Sequence, residues 1–262
     1  MQGSANLNLM IRAARRAARS LLRDFREVEN LQVSVKGPAD FVSRADREAE
    51  RIIREELTAG RPTYGWLGEE TGAVPGEDPT RRWIVDPLDG TTNFLHGMPH
   101  WSISIALEHK GETVAAVVYD PPRDEMFIAE KGAGAWLNDR SRLRVSARRD
   151  PARSLLATGL PFGAKRTLPA TLADLQRVAP VFAGVRRMGS AALDLAWVAA
   201  GRLDGYWERE LQAWDLAAGL LLVREAGGLV ESLEGEGRAV DTGSVLAANA
   251  VLFAPLAGLL RR

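Results

Sequence analysis

The chain has 262 residues, of which 46% are hydrophobic and 26% are charged, and this ordinary globular composition excludes collagen-like, low-complexity and disordered proteins. The 34 Lys and Arg residues balance the 34 Asp and Glu residues, so no overall charge favours binding to nucleic acid or to an anionic membrane. The absence of cysteine excludes disulfides, thiolate zinc sites and cysteine nucleophiles. The three histidines, His96, His100 and His109, are too few and too close in sequence for most histidine chemistry, so any chemistry depends on carboxylates, hydroxyls and metal ions.

The N-terminal segment is basic, which on its own is typical of a transit peptide. Its arginines are Arg12, Arg15, Arg16, Arg19 and Arg23. Apolar residues from Met10 to Val28 recur at helical spacing, and acidic residues follow from Asp24. We therefore predict an amphipathic helix from about Leu7 to Glu29 that exposes its arginines to solvent.

A second helix is indicated by Ser43 and Asp46, which precede an apolar helical pattern that stops before Gly60. The intervening residues 33–40 include a Gly-Pro pair, and we expect a loop or a bent strand there.

Apolar segments in the middle of the chain have the length and the turn signals of sheet strands. They are Trp83–Val85, Ser102–Leu107, Val114–Tyr119 and Met126–Ala129. The turn from Gly132 to Gly134 has part of a dinucleotide-binding pattern, but the third glycine and the following helix are missing, and we reject that interpretation.

Polar and basic residues between positions 138 and 153 indicate a boundary, and we divide the chain into an α+β lobe, residues 1–145, and an α/β lobe, residues 146–262. In the second lobe the pattern predicts a strand and three helices. These are Leu155–Thr158, Leu168–Ala179, Ala191–Ala200 and Leu216–Ala226. Because strands alternate with helices, we expect a layered α/β fold.

The most informative motif follows the strand that ends at Asp86. Pro87 favours an extended backbone at Asp86, and Asp89 then lies one turn away, so that both carboxylates face one point. Gly90 permits close backbone approach, and Thr91 is expected to cap the short helical segment that follows.

The amides after Gly90 are free to bind an anion at this helix start. Carboxylates beside such a site would repel a phosphate group unless a cation lies between them. Mg²⁺ fits this arrangement because it prefers few carboxylates, retained waters and phosphate oxygens. The motif alone is also compatible with a surface Asx turn.

Two further acidic features accompany this motif. Glu69 and Glu70 follow a glycine shortly upstream, although a glutamate pair alone is usually a solvated turn. Asp215 follows Trp214 at a predicted helix start, where its alternative role is an ordinary N-cap.

In combination, these motifs resemble the inositol monophosphatase family of metal-dependent phosphatases, and in particular its bacterial inositol-1-monophosphatase branch. The resemblance covers nearly the whole chain. Its motifs are Lys36–Asp40, Gly68–Glu70, Asp86–Thr91, Gly189–Ala192, Trp214–Ala218 and Gly227–Gly228. It implies an alternating αβαβα sandwich of the inositol monophosphatase and fructose-1,6-bisphosphatase type, with most metal ligands in the first lobe.

The resemblance implies a site for two or three Mg²⁺ ions. Glu70, Asp86 and the carbonyl of Leu88 would hold the first ion. The resemblance also makes Glu70 a catalytic residue. Asp86 would bridge to the second ion, which Asp89 and Asp215 would also hold.

The resemblance also implies roles in the reaction. Thr91, oriented by Asp46, would position the water that the first metal activates, and the amides of Gly90 and Thr91 would hold the phosphate. Glu69 and Lys36 match positions that line a third metal or the phosphate. The reaction would be an in-line displacement in which one metal generates the nucleophile and another stabilises the leaving alkoxide.

Substrate contacts follow from the same resemblance. Glu208 matches the position that accepts hydrogen bonds from substrate hydroxyls, Ala191 and Ala192 match the pocket floor, and Asp215 also belongs to the substrate-binding set.

The chain departs from the family at Arg209 and Glu210, where an apolar residue and a glycine are usual. We expect Arg209 to point toward solvent, because burying an unpaired guanidinium is unfavourable. We also expect His96 and His100 at the surface or at the rim of the site.

The resemblance predicts a phosphatase that hydrolyses inositol 1-phosphate to inositol and phosphate, is inhibited by Li⁺, and is a cytoplasmic homodimer. No apolar run approaches the ~20 residues that span a bilayer, so we expect no membrane contact. Related phosphatases acting on histidinol phosphate, fructose 1,6-bisphosphate, nucleotide 3′-phosphates or NADP are alternatives.

Two other classes of protein stay open. A glycosidase would use Asp86 and Asp89 as an acid/base pair without a metal. A binding protein is the other, since some bacterial relatives assist transcription complexes by contacting proteins and RNA, although the neutral net charge does not indicate such contact here.

Overall fold

The computed structural model of the chain describes residues 3–31, 38–161 and 167–261. The helices in these ranges are α1 (Ala5–Leu31), α2 (Pro38–Gly60), α3 (Thr91–Leu95), α4 (Leu168–Val178), α5 (Ala191–Ala199), α6 (Ala213–Glu225), α7 (Ala239–Thr242) and α8 (Ala250–Leu260). The strands are β1 (Tyr64–Gly68), β2 (Gly72–Val74), β3 (Asp78–Asp89), β4 (Ser102–His109), β5 (Glu112–Asp120), β6 (Glu125–Glu130), β7 (Gly134–Leu137), β8 (Ser141–Arg142), β9 (Leu155–Thr158), β10 (Gly184–Arg186), β11 (Gly205–Glu208), β12 (Leu229–Glu231) and β13 (Val245–Ala248).

Two mixed sheets organise these strands. The first has the order β2-β1-β3-β4-β5-β6-β7-β8, and the second has the order β10-β9-β11-β13-β12. In the first sheet β1 and β3 are parallel, and β3 to β8 are antiparallel neighbours. In the second sheet β9 runs parallel to β10 and β11.

Side chains alternate between the two faces of each sheet, so the two sheets separate three apolar cores. On β5, Ala115 and Val117 pack with the core of α1 and α2, whereas Ala116 and Val118 pack with α5 and α6. On the second sheet, Leu246 packs with the core that contains α8. The layers therefore run α1/α2, first sheet, α5/α6, second sheet, α4/α8, and the predicted αβαβα sandwich is confirmed.

The predicted strands lie within β3, β4, β5, β6 and β9. The second helix, however, begins earlier than expected, at Pro38 rather than near Ser43. Proline suits the first position of a helix because the N–H that it lacks has no partner there. Residues 33–37 of the expected loop lie outside the described residues.

No helix in the described part of the chain has both the length and the apolar character needed to cross a membrane. The first sheet ends at Arg142 and the second begins at Leu155. The division into lobes at residue 145 stays a prediction.

Candidate active site

Three carboxylates meet where β3 ends and α6 begins. Asp86 and Asp89 of β3 and Asp215 of α6 each present one carboxylate oxygen, and these oxygens lie within 4.8 Å of one another. Asp86 and Asp89 are buried, and Asp215 is partly buried. We call these residues the carboxylate cluster.

A bulge in β3 turns Asp86 and Asp89 toward the same side of the sheet. Asp86 pairs with Ser104 of β4 and Asp89 with Ser102, so β3 contains one extra residue at this point. Residues three apart on a regular strand face opposite sides, and the extra residue cancels that alternation. The Asp86 carboxylate accepts a hydrogen bond from the Leu88 N–H at 2.9 Å. The expectation that Asp89 lies one turn beyond the strand is therefore replaced by a bulged strand that includes it.

Asp89 also closes the N-terminus of α5. Its carboxylate accepts hydrogen bonds from the Ser190 hydroxyl at 2.6 Å and from the Ala192 N–H at 2.8 Å. The free N–H groups at a helix start favour an anion, so an aspartate from β3 acts as the cap of α5. Ala191, a predicted substrate contact, lies beside it, with its N–H at 3.3 Å from the Asp89 carboxylate. Ser190 was not predicted, although its place directly before a predicted helix was a usable signal.

The first turn of α6 places Asp215. Gln212 is the N-cap, and Asp215 accepts the Gln212 N–H at 2.7 Å in a capping box. Asp215 therefore lies inside the helix, and its alternative role as the N-cap is wrong. The Ser104 hydroxyl donates to the Trp214 carbonyl at 3.1 Å, which ties this turn to β4.

Gly90 has a left-handed backbone with φ of 97° and is the N-cap of α3. A Cβ atom there would lie 3.0 Å from the carbonyl oxygen of His100, so conformation and space both require glycine. Thr91, the expected cap, is instead the first helical residue, and its hydroxyl donates to the Leu88 carbonyl at 3.1 Å. Among the described residues, no hydrogen bond joins Thr91 to Asp46.

The two glutamates of the turn after β1 have different neighbours. Desolvation raises the pKa of Glu69, and contact with Asp86 partly offsets the rise. Desolvation, followed by the charge of Glu50, raises the pKa of Glu70, and the charge of Arg47 on α2 partly offsets this rise. Burial and then Glu69 are the largest causes that raise the pKa of Asp86. The structure thus brings Glu69 to the carboxylate cluster, whereas Glu70, the predicted ligand, faces α2.

Excess negative charge is the main electrostatic property of the site. Asp46 is buried, and its Oδ1 has no hydrogen-bond partner in the described part of the chain. Burial and then Glu69 raise the pKa of Asp46 to about 8. Burial and then Asp215 raise the pKa of Asp89 to about 7. A bound cation relieves such a charge imbalance, and the donors are all oxygens, so the residues present fit Mg²⁺.

Glu208, at the end of β11, is the predicted contact for the substrate hydroxyls. Its carboxylate accepts a hydrogen bond from the buried Tyr206 hydroxyl and packs directly against Gly159, where a Cβ atom would overlap it. Burial raises the pKa of Glu208 to about 7, against the opposing effect of the Tyr206 hydrogen bond, and the charges of Asp194 and Asp215 add to the rise. The charges of the carboxylate cluster therefore act on Glu208 and favour its protonated form.

The expectation for Arg209 is wrong. Only 14% of its side chain is exposed, and its guanidinium pairs with the buried Asp174 of α4 rather than with solvent or Glu208. Arg177 also contacts Asp174, at 2.5 Å, so the guanidinium groups compensate a buried charge. Glu210 has a left-handed backbone with φ of 59°, a conformation that the glycine usual in the family adopts more readily.

His96 is exposed, as expected, but His100 is buried. Its Nε2 lies 3.1 Å from the Asp194 carboxylate of α5, and burial lowers the pKa of His100 to about 4. His100 thus joins the loop after α3 to the central helices. Lys36, predicted beside a third metal or the phosphate, lies outside the described residues.

Comparison with known proteins agrees with this geometry. The model of the inositol monophosphatase family matches residues 5–261. The inositol-1-monophosphatase of Rhizobium meliloti is 56% identical over 262 residues, covering 100% of this chain and 98% of that protein. The Nus factor SuhB of Pasteurella multocida is 46% identical, covering 92% of this chain and 90% of that protein.

A solved structure of the extragenic suppressor protein suhB from Bartonella henselae superposes with a TM-score of 0.91 at 52% identity and covers 99% of each chain. The match extends over the strand end, the helix starts and the turn that build the site. The chain therefore belongs to the inositol monophosphatase family.

Proposed function

We propose that this protein is a Mg²⁺-dependent phosphomonoesterase that hydrolyses inositol 1-phosphate to inositol and phosphate with water as the nucleophile. The observation that carries the proposal is the desolvated carboxylate cluster, which has an excess of negative charge in a chain that matches the family over residues 5–261. Inhibition by Li⁺, a homodimer and a cytoplasmic location, which the family resemblance implies, belong to the same proposal.

The metal ligands in this proposal are the carboxylate cluster and the Leu88 carbonyl, with Glu69 as the further carboxylate. Glu69 replaces Glu70 because Glu69 contacts Asp86, whereas the neighbours of Glu70 lie on α2. When bound, Mg²⁺ supplies an activated water and neutralises charge on phosphate oxygens. The glycosidase alternative is disfavoured. A glycosidase uses two carboxylates and needs no metal, so no cation would neutralise the excess negative charge at this site.

The protein's own groups would bind and orient the reactants. The N–H groups of Gly90 and Thr91, at the start of α3, would donate to the phosphate. The Thr91 hydroxyl, which donates to the Leu88 carbonyl in the structure, would turn in the loaded site to orient the water. It would then donate a hydrogen bond to Asp46, whose Oδ1 has no partner among the described residues. Glu208, an acceptor when ionised, would receive hydrogen bonds from the substrate hydroxyls.

Asp86→Asn tests the metal site most directly. We expect kcat/KM to fall by about 10³-fold or more, because Asp86 lies at the centre of the cluster and the metal-dependent stabilisation is several kcal/mol. Asp150→Asn, at an exposed carboxylate remote from the cluster, is the matched control and should retain activity. Activity of Asp86→Asn close to that of the control, with an unchanged circular dichroism spectrum, would contradict the proposal.

The pH dependence of stability gives a second test. Burial and neighbouring charge raise the pKa of Asp89 to about 7 and that of Asp46 to about 8. At any pH between the ordinary carboxyl pKa and these raised values, the metal-free folded chain therefore binds more protons than the unfolded chain. Stability should therefore be lost as pH rises through this window, so the metal-free protein should have a lower Tm at about pH 8 than at about pH 6. Because Mg²⁺ competes with protons, it should raise Tm more at the higher pH.

Thermal unfolding with EDTA and with Mg²⁺ at the two pH values measures both effects. Asp86→Asn should lose the Mg²⁺ effect, and Asp150→Asn should keep it. A Mg²⁺ effect on Tm that does not change with pH would count against the assignment.

Glu208 and Arg209 should separate substrate binding from stability. Glu208→Gln adds a donor where acceptors are needed, so KM for inositol 1-phosphate should rise several-fold, while Tm changes little. Arg209→Ala removes one of the partners of buried Asp174 and should lower the free energy of unfolding by about 1–3 kcal/mol, with KM within about threefold. Steady-state kinetics and urea unfolding of both variants provide the readouts. The reverse pattern, a KM effect in Arg209→Ala alone, would place Arg209 in the substrate pocket.

We infer a second role in binding single-stranded RNA, supported by a row of arginines on α1. Arg12, Arg16, Arg19, Arg23 and Arg26 are all exposed. Their alternating spacing of four and three residues places them on one helix face, along about 21 Å. Glu56 pairs with the first two and Asp24 with Arg23, but Arg19 and Arg26 make no ion pair with another described residue. A row of cations matches the phosphates of an extended strand, and the relatives include proteins named Nus factor SuhB.

Replacing Arg19 and Arg26 by glutamate should weaken binding to single-stranded RNA about tenfold or more, and should flatten the slope of log K against log salt by about 0.7 per lost contact. Fluorescence anisotropy over a salt series measures both quantities. Arg149→Glu, at another exposed arginine, is the control. Equal affinity of the double variant and the control would exclude α1 as the RNA surface, and phosphatase activity should be unchanged in both.

A further inference from the structure

A buried glutamate outside the carboxylate cluster organises the turn that carries Glu69. Glu50 of α2 is 1% exposed and lies one helical turn after Asp46, on the same face. Its carboxylate accepts hydrogen bonds from the N–H of Glu70 at 2.9 Å and from the N–H of Thr71 at 3.0 Å. Glu50 therefore contacts the main chain of this turn with both oxygens.

The turn is held from a second side by the strand that carries the cluster. The Glu69 N–H donates to the Val85 carbonyl of β3 at 3.2 Å. The Trp66 indole donates to the Thr71 hydroxyl at 3.0 Å. A Cβ atom at Gly68 would lie 2.6 Å from a Glu50 carboxylate oxygen, so the carboxylate packs against the backbone of the turn. Glu69 is thereby fixed between α2 and the residue that precedes Asp86.

The chemistry of Glu50 suits positioning rather than packing. An apolar side chain could fill the same space, but two main-chain N–H groups would lose their partners. Within the described part of the chain, Glu50 forms no salt bridge, and these N–H groups are the donors to its carboxylate. Burying a carboxylate is unfavourable unless it is hydrogen-bonded. Because the hydrogen bonds of Glu50 come from the main chain of the turn, we infer that Glu50 maintains the geometry of this turn.

We propose that Glu50 is a positioning residue that sets the affinity of the site for Mg²⁺ by holding the Glu69 carboxylate against Asp86. This inference rests on the proposed function, in that Glu69 and Asp86 are taken as ligands. Glu50 acts through the turn and touches neither phosphate nor polyol. Its loss should change the Mg²⁺ requirement far more than the interaction with the organic part of the substrate.

The test compares Glu50→Gln and Glu50→Ala with Glu55→Gln, the same substitution at an exposed glutamate of the same helix. Glu50→Gln keeps the side-chain shape, but its amide nitrogen must face one of the two N–H donors. Three quantities are measured: the Kd for Mg²⁺ by calorimetry without substrate, amide hydrogen exchange at residues 68–71, and KM for inositol 1-phosphate at saturating Mg²⁺.

For Glu50→Gln we expect the Kd for Mg²⁺ to rise about 10- to 100-fold, as is usual when a residue that orients a ligand is lost. Exchange at the Glu70 and Thr71 amides should accelerate, and KM at saturating Mg²⁺ should stay within about threefold of the wild-type value. Glu55→Gln should match the wild type in all three quantities. Should Glu50→Ala fail to fold, Glu50→Gln alone decides the result.

A Kd for Mg²⁺ that is unchanged in Glu50→Gln, with faster exchange in the turn, would overturn the inference and leave Glu50 a structural residue. Unchanged exchange would overturn it as well. Failure of the wild type and of Glu55→Gln to bind Mg²⁺ would instead overturn the proposed function, and this inference with it.

Discussion

Repulsion among three carboxylates, each with one oxygen within 4.8 Å of an oxygen of the others, is the constraint on which the rest of the structure depends. The fold opposes this repulsion with at least one main-chain N–H donor for each carboxylate. Asp86 receives the N–H of Leu88, Asp89 that of Ala192, and Asp215 that of Gln212. These donors orient each side chain without introducing a positive charge. The negative charge of the cluster therefore stays available to a cation.

Each donor belongs to a different local motif, and together these motifs explain the layered architecture. The first is the bulge of β3, the second is the start of α5, and the third is the capping box of α6. Helices α5 and α6 lie in the central layer between the two sheets. Their N-termini therefore meet the end of β3, which runs antiparallel to β4 in the first sheet. Asp89 is at once a cluster member and the cap of α5, which couples formation of the site to the packing of the central layer.

Local chemistry explains which features were predictable from the sequence. Pro87 and Gly90 mark a backbone irregularity beside Asp86, and that signal was sufficient to locate the motif, although not to identify a bulge. The burial of Arg209 was not predictable, because its partner Asp174 lies 35 positions away on α4. His100 and Asp194, 94 positions apart, present the same difficulty. The choice between Glu69 and Glu70 likewise depends on Glu50, a contact from another element that no spacing within the motif reveals.

The neutral net charge of the chain is a sum over faces of opposite sign, and it was a poor guide to local electrostatics. Asp46 and Glu50 of α2 are buried, whereas the arginines of α1 are exposed to solvent. Salt screens the charges of the exposed arginines, whereas it screens the buried carboxylates of Asp46 and Glu50 much less. The proposed RNA-binding face and the proposed metal site use different residues of one helix pair, so neither excludes the other. Composition averages over these faces, and only the placement of α1 and α2 against the first sheet separates them.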